Sequence, residues 1–269
     1  MKNIYTLKSD VTGEGNPLVL VPGGLTGWKS WEPFTGYFAG QKRRVAKVQL
    51  MNVEYGIDNR PLPEGYSVGT ESSALKATLD SLGLKDPTDI IAWSYGAFVS
   101  LDFALNNPRR IRTLTLIEPP AIWLLKDKEQ TEDLIRFFRS LNGDITDDML
   151  SKFLAKVGFV KEGESPRNLP QWQQWLPYIY SLRNSPAVVN HTDKISRLKN
   201  LKAPVLLVKG TGSASFLHSI IDSLSLYLPD AREIEMPGGH APHIASRDIF
   251  LTEWKMFQKN PRAELSSVK

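Results

Sequence analysis

Several short stretches of this sequence carry residue types from which acyl-transfer chemistry can be assembled. In Ala92-Trp93-Ser94-Tyr95-Gly96 a serine stands with small residues two positions before and two after it. It falls where the apolar run Asp89-Ile90-Ile91-Ala92-Trp93, which reads as a strand, gives way to a helical pattern over Ala97 to Leu105. A serine on so sharp a strand-to-helix turn is pushed into strained backbone geometry that lifts its hydroxyl above the sheet. The small flanking residues let strand and helix approach. Gly96 meets that need fully, and Ala92, where a second glycine is usual, is the smallest residue with a Cβ. Read alone, Ser94 could merely cap the helix; its place after a strand favours a nucleophile.

A serine nucleophile needs a base and donors for the developing oxyanion. One donor is expected from the backbone N–H of Tyr95, which opens the helix. The second is expected from Pro22-Gly23-Gly24-Leu25, which follows the early strand Leu18-Val19-Leu20-Val21; Gly24 is preferred, with Leu25 as the register alternative. That loop lacks Gly-x-Gly-x-x-Gly and any Gly-Lys-Ser/Thr ending, so it is not read as a phosphate cradle. Four histidines are available: His191, His218, His240 and His243. Pro237-Gly238-Gly239-His240 follows the last strand and presents its imidazole on a tight loop, so His240 is the preferred base and His243 its competitor. His218, on an apolar helix, and His191 are read as structural. No carboxylate or third histidine lies near residues 240 and 243, so no metal site and no cofactor are expected.

The elements that must position these residues alternate as they do in a mainly parallel sheet covered by helices. Strands are expected at Leu18 to Val21, Val45 to Leu50, Asp89 to Trp93, Leu114 to Ile117, Pro204 to Val208 and Ala231 to Met236. Helices are expected at Ser67 to Leu82, Ala97 to Leu105, about Phe216 to Leu228, and Arg247 to Phe257. From about Ala121 to Lys202 only helical patterns occur, including Glu129 to Leu141, Asp147 to Val157 and one starting near Gln171. The expected organisation is an α/β core of residues 1–120 and 203–269, interrupted by a helical cap over 121–202.

The bulk numbers exclude other classes. With 41% hydrophobic and 23% charged residues the chain can bury a sizeable core. The net charge of +4 is spread thinly, and the runs Lys42-Arg43-Arg44 and Arg109-Arg110-Ile111-Arg112 read as solvated helix or strand entries; no nucleic-acid partner is expected. Absence of cysteine removes thiolate and disulfide chemistry. No run approaches the roughly 18 apolar residues of a membrane span, and the N-terminus has no signal-like apolar core. A cytoplasmic monomer or homodimer is the expectation, with no membrane partner.

The order of strand, Pro-Gly-Gly loop, serine elbow, helical insertion and terminal Gly-His resembles the α/β-hydrolase superfamily over nearly the whole chain. That resemblance implies an α/β-hydrolase fold, with the helical insertion as a lid, and a carboxylate behind His240 that fixes its tautomer. In most of the family the acid follows the strand matching Pro204 to Val208. Here that loop, Lys209 to Ser215, holds no carboxylate, and Asp222 should lie two turns into the next helix. Glu118, at the end of the strand after the nucleophile strand, is the replacement that the resemblance offers. The zearalenone-hydrolysing lactonases are similar in this glutamate, in the acid-free loop and in Pro-Gly-x-His. Glu118 could instead only cap or pair at a strand end before Pro119-Pro120.

The implied activity is hydrolysis of a carboxylic ester or lactone of a fairly apolar small molecule through an acyl-enzyme. A carbon–carbon bond hydrolase on the same triad, or a ligand-binding receptor with impaired catalysis, are the alternatives. Substrate contacts are expected from Leu25, Trp28, Trp123, Trp175 and Tyr178, among aromatics that helical spacing otherwise assigns to core.

Overall fold

The computed structural model describes residues 4–161 and 163–262. Seven strands form one sheet: β1 (Lys8–Thr12), β2 (Asn16–Val21), β3 (Arg43–Gln49), β4 (Thr88–Trp93), β5 (Ile111–Ile117), β6 (Val205–Gly210) and β7 (Ala231–Met236). Their spatial order is β1-β3-β2-β4-β5-β6-β7. β1 pairs antiparallel with β3, and every other neighbouring pair is parallel. Parallel neighbours need crossovers, which lay helices over both faces and favour strands that are apolar on both sides. β4 is accordingly buried at all six positions. The polar edge strand β1 is largely exposed; its Lys-Ser-Asp-Val-Thr pattern gave no apolar run to find in the sequence.

The helices before β5 are α1 (Glu32–Gly40), α2 (Met51–Ile57), α3 (Val68–Ser81) and α4 (Tyr95–Asn106). Between β5 and β6 come α5 (Lys128–Ser140), α6 (Asp147–Lys156), α7 (Trp172–Trp175), α8 (Ser185–Asn190) and α9 (Ile195–Asn200). No strand occurs among the described residues of that segment. Its longer helices start on side-chain caps, Asp127 accepting from the Gln130 N–H and Thr146 from the Met149 N–H. After β6 follow α10 (Ser215–Tyr227), α11 (Pro242–Ala245) and α12 (Arg247–Lys259).

Strand periodicity divides the core. Ile90 and Ala92 of β4 pack with α3, α4 and α10, whereas Ile91 and Trp93 pack on the opposite face with Phe34, Phe38, Phe250 and Phe257 of α1 and α12. These four phenylalanines are wholly buried, and each contributes roughly 1.5–3 kcal/mol relative to exposure.

The two basic runs stand at the entries of β3 and β5 and are exposed at Lys42, Arg109 and Arg112, with Arg43 the exception. Arg43 is buried and donates to the carbonyls of Asn16 and Pro17 at 3.1 and 3.0 Å. Arg43 and Arg112 also converge on the fully buried Asp89 carboxylate, which accepts from Thr113 Oγ1 at 2.7 Å as well. The physical reason is that Asp89 begins a strand buried on both faces, and its charge must be paired where water is excluded.

Candidate active site

Every parallel strand of the sheet ends on the same edge, and open α/β sheets bind ligands beyond the carboxyl ends of their strands. The loops after β2, β4, β5, β6 and β7 therefore meet there, bringing Gly24, Ser94, Glu118, Ser213 and His240 into one cluster.

Ser94 joins β4 to α4 with φ 52° and ψ −123°. This is a region that residues with a Cβ avoid at a cost of about 1–3 kcal/mol. Its N–H is tied to the Ile117 carbonyl at 2.8 Å. The turn is tight enough that a Cβ on Gly96 would stand 2.1 Å from the Pro22 carbonyl oxygen. Ala92 fits without a second glycine because its methyl lies in the core between β4 and the α3–α4 layer.

Ser94 Oγ lies 2.8 Å from His240 Nε2, and His240 Nδ1 lies 2.6 Å from Glu118 Oε2. A carboxylate only accepts, so the imidazole carries its proton on Nδ1 and turns the Nε2 lone pair to the serine hydroxyl. Glu118 is wholly buried, and its φ of 46° makes it a second strained residue of the cluster. Its Oε1 accepts the Gly210 N–H at 2.7 Å and its Oε2 the Ser213 hydroxyl at 2.7 Å. Ser213 went unnoticed in the sequence because it sits in the loop searched only for an acid. Asp222 is directed away: its side chain is 62% exposed and pairs with Lys209.

The segment between β5 and β6 also holds the histidine. Gly158 accepts the His240 N–H at 3.0 Å, and the Phe159 ring stands edge-on to the imidazole with centroids 5.5 Å apart. A Cβ on Gly239 would meet the Gly158 oxygen at 2.1 Å, which accounts for the glycine before the histidine. From the opposite side Trp93 Nε1 donates to the His240 carbonyl at 2.7 Å.

His243, the competing base, is wholly buried beneath the site among Trp31, Phe34, Trp93 and Phe250. Burial, then the neighbouring His240, push its pKa down to about 3. His218 Nε2 donates to the Gly210 carbonyl at 2.8 Å, and His191 packs edge-on with Phe98. His191 also stands with Asp102 and Asp193 in a group of suitable spacing for a cation. There Asp193 pairs with Arg197 and Asp102 accepts from Asn106.

A cavity of about 30 Å³ opens beside Ser94, bounded by Tyr95, Phe138, Phe153, Asn184, Val188 and His240 among others. It has room for roughly two waters. None of the five expected contact residues lines it. Leu25 is taken into the core, Trp123 packs against that core from a short 3₁₀ turn, and the Trp28 N–H donates to Gln49 Oε1 at 2.9 Å. Trp175 and Tyr178 line a separate outer groove of about 750 Å³ with Trp93 and Phe159. The sequence reading missed Asn184, the polar residue in the cavity wall, because it weighed only the aromatics of that segment.

The chain matches the family described as alpha/beta hydrolase fold over residues 16–246. It belongs to that family. Among curated relatives, this α/β hydrolase is 28% identical over 187 residues to a 2-hydroxy-6-oxo-2,4-heptadienoate hydrolase of Pseudomonas putida, a match covering 63% of this chain and 66% of the relative. It is 24% identical over 249 residues to a pimeloyl-[acyl-carrier protein] methyl ester esterase of Aeromonas hydrophila, covering 89% and 94%. Among solved structures, an esterase from Thermogutta terrifontis superposes with a TM-score of 0.74 at 18% identity, over 96% of this chain and 94% of the other. At that identity the likeness speaks for the fold alone. Among the described residues, no helix of this α/β hydrolase is long and apolar enough to cross a membrane.

Proposed function

We propose that this α/β hydrolase cleaves carboxylic esters or lactones with Ser94 as nucleophile, His240 as base and Glu118 as the orienting acid. The observation that carries the reading is the continuous relay from Ser94 Oγ through His240 to Glu118, with contacts of 2.8 and 2.6 Å. His240 Nε2 takes the serine proton as Oγ attacks the carbonyl carbon. Charge developing on the carbonyl oxygen is met by the N–H groups of Gly24 and Tyr95. Tyr95 heads α4, so its N–H has no acceptor within the helix. Collapse of the adduct expels the alcohol, which receives the proton from His240. Water, deprotonated by the same imidazole, then frees the acyl group and restores Ser94.

The cavity wall sharpens the substrate class. Apart from His240, the residues that bound it include no side chain of Lys, Arg, Asp or Glu. A heptadienoate, named as the substrate of the Pseudomonas putida relative, carries a carboxylate that would need a cationic partner in so dry a site. This favours a neutral ester over that carbon–carbon substrate, which the same three residues could otherwise serve. A 30 Å³ cavity is also far below the roughly 300 Å³ of a small-molecule pocket. We therefore assign residues 121–202 as a lid that must shift to admit substrate, with small apolar acyl groups favoured over a macrocycle.

Purified protein assayed against p-nitrophenyl esters, lactones and a hydroxy-oxo-dienoate decides between these. The proposal expects the short neutral esters to lead, with activity and fluorophosphonate labelling both abolished in Ser94→Ala. Fastest turnover of the dienoate would move the assignment to carbon–carbon cleavage. A wild-type protein that neither labels nor turns over any ester would indicate a binding protein instead.

A further inference from the structure

A second buried carboxylate lies on the far side of the site from Glu118. Glu71, on α3, is wholly inaccessible to solvent. Its two oxygens accept the N–H groups of Met51 and Asn52 at 3.1 and 3.0 Å, at the start of α2. From that point two chains of hydrogen bonds lead to the two residues whose N–H groups are assigned to the oxyanion, one ending on the Gly24 carbonyl and the other on the Tyr95 hydroxyl. The first runs through Asn52: its Nδ2 donates to the Gly24 carbonyl at 2.7 Å and to the Ser181 carbonyl at 3.0 Å. The second runs through Tyr66, whose hydroxyl donates to Glu71 Oε1 at 2.7 Å and lies 2.9 Å from the Tyr95 hydroxyl. Because the Tyr66 hydroxyl donates its proton to Glu71, the Tyr95 hydroxyl donates to the Tyr66 oxygen, and Asn184 stands close by. Asn184 in turn borders the cavity beside Ser94, its Nδ2 standing 3.2 Å from where a Cβ on Gly24 would be.

Gly24 and Tyr95 come from different loops, after β2 and at the head of α4. β2 and β4 are paired only as far as Val21 and Ala92, so the ladder between them ends three residues short of either donor and leaves the two loops beyond it unconstrained. A backbone donor misplaced by a fraction of an ångström loses much of its value to an oxyanion. The network supplies that missing constraint from a single root.

We propose that Glu71 is a positioning residue that holds both backbone donors of the oxyanion hole in register, through Asn52 to Gly24 and through Tyr66 to Tyr95. This rests on the reading of Ser94 as the nucleophile. Burial raises the Glu71 carboxyl to about 7 against the three hydrogen bonds that lower it, and the nearby Glu54 raises it further. A carboxylate kept at such cost in the core is a poor device for stability alone. It is a strong acceptor for three convergent donors, which a neutral side chain cannot match.

The test compares Glu71→Gln and Tyr66→Phe with wild type, with active sites counted by fluorophosphonate titration so that misfolded protein drops out. The readouts are kcat/KM for a p-nitrophenyl ester, Ki for a trifluoromethyl ketone whose serine adduct is an oxyanion, and Ki for the matching alcohol. In Glu71→Gln, kcat/KM per active site falls about tenfold or more. The trifluoromethyl ketone weakens by the same factor, and the alcohol stays within about twofold. Tyr66→Phe, which leaves the α2 contacts intact, shows a smaller loss with the same pattern. Unchanged trifluoromethyl ketone binding, or equal weakening of ketone and alcohol, overturns the proposal. If Glu71→Gln does not fold, Tyr66→Phe alone decides, and wild-type values for it overturn the proposal too. Activity surviving in Ser94→Ala would instead strike down the nucleophile assignment, a result that this comparison does not produce.

Discussion

Two histidines three residues apart sit in opposite environments. His240 has both ring nitrogens engaged, one by Ser94 and the other by Glu118, and its backbone is tied at both N–H and carbonyl. Neither nitrogen of His243 has a hydrogen-bond partner among the described residues, and its ring is boxed by Trp31, Phe34, Trp93 and Phe250. The residue type is the same. What differs is where the loop after β7 points each side chain: His240 turns up to the sheet edge, while α11 drops His243 between α1 and α12. An imidazole held between a hydroxyl and a carboxylate is placed to pass a proton, whereas one enclosed by aromatic rings is a neutral packing group.

The largest test of that contrast is substitution of each histidine. His240→Ala should lower kcat by about 10⁴-fold or more, since a serine without its base has no route for the proton. His243→Leu, assayed at pH 8, should leave kcat within about threefold. Comparable losses in the two variants would mean that the site has been assigned to the wrong imidazole.

Next in size is the partner that separates them. Glu118→Gln keeps the shape but presents an amide that no longer stabilises an imidazolium and can hold the ring in the wrong tautomer. A loss of about 10³-fold in kcat, with KM little changed, is expected in steady-state assays. Undiminished kcat would falsify the assignment of Glu118 and return the acid to an unassigned position.

This carboxylate also marks where the sequence was legible and where it was not. Ser94 and Gly24 could be placed because each follows a buried apolar run with small residues around it, and His240 because a glycine pair precedes it after the last strand; parallel topology carries all such loop ends to one edge. The core strands β2, β4, β5 and β6 were readable for the same reason. β1 was not, because an exposed edge strand carries no apolar signature, and neither was the packing of Arg43 on Asp89. The cavity wall was misjudged. Helical spacing in the 121–202 segment says which residues share a face but not which face meets Ser94, so Asn184 and Phe138 were missed in favour of Trp123 and Trp175. Glu71 gave no signal at all, since its partners lie on α2 and in the turn before α3.

A smaller effect separates the histidines by stability. The His243 pKa is depressed from 6.5 to about 3, so the unfolded chain binds a proton that the folded chain refuses. Its contribution to stability is full above 6.5 and is lost as pH falls through that value toward 3. Between pH 8 and pH 5 the wild type should lose about 2 kcal/mol from this residue alone. His243→Leu removes the proton-binding site, so its denaturant midpoint should fall less on acidification than that of wild type. Parallel pH curves for the two proteins would show that His243 has a partner or is protonated in the fold.

The smallest effect expected lies behind His240, in the loop after β6. That loop contains no carboxylate. It instead offers the Gly210 N–H and the Ser213 hydroxyl to Glu118, at 2.7 Å each. On the proposed assignment the loop and the strand end exchange parts: the acid comes from β5, and the β6 loop provides the donors that hold it. Ser213→Ala leaves one of the two anchors. The remaining Gly210 contact keeps the carboxylate buried and near its place, but Oε2 then relies on His240 alone. Loss of one hydrogen bond to a charged group is worth about 1.5 kcal/mol. If that cost falls on the orientation of Glu118, kcat should drop between about threefold and tenfold, and Ser213→Thr should restore most of it. A Ser213→Ala enzyme as fast as wild type would show that Gly210 alone suffices, and that the hydroxyl serves the buried oxygen without steering the imidazole that sets His240 apart from His243.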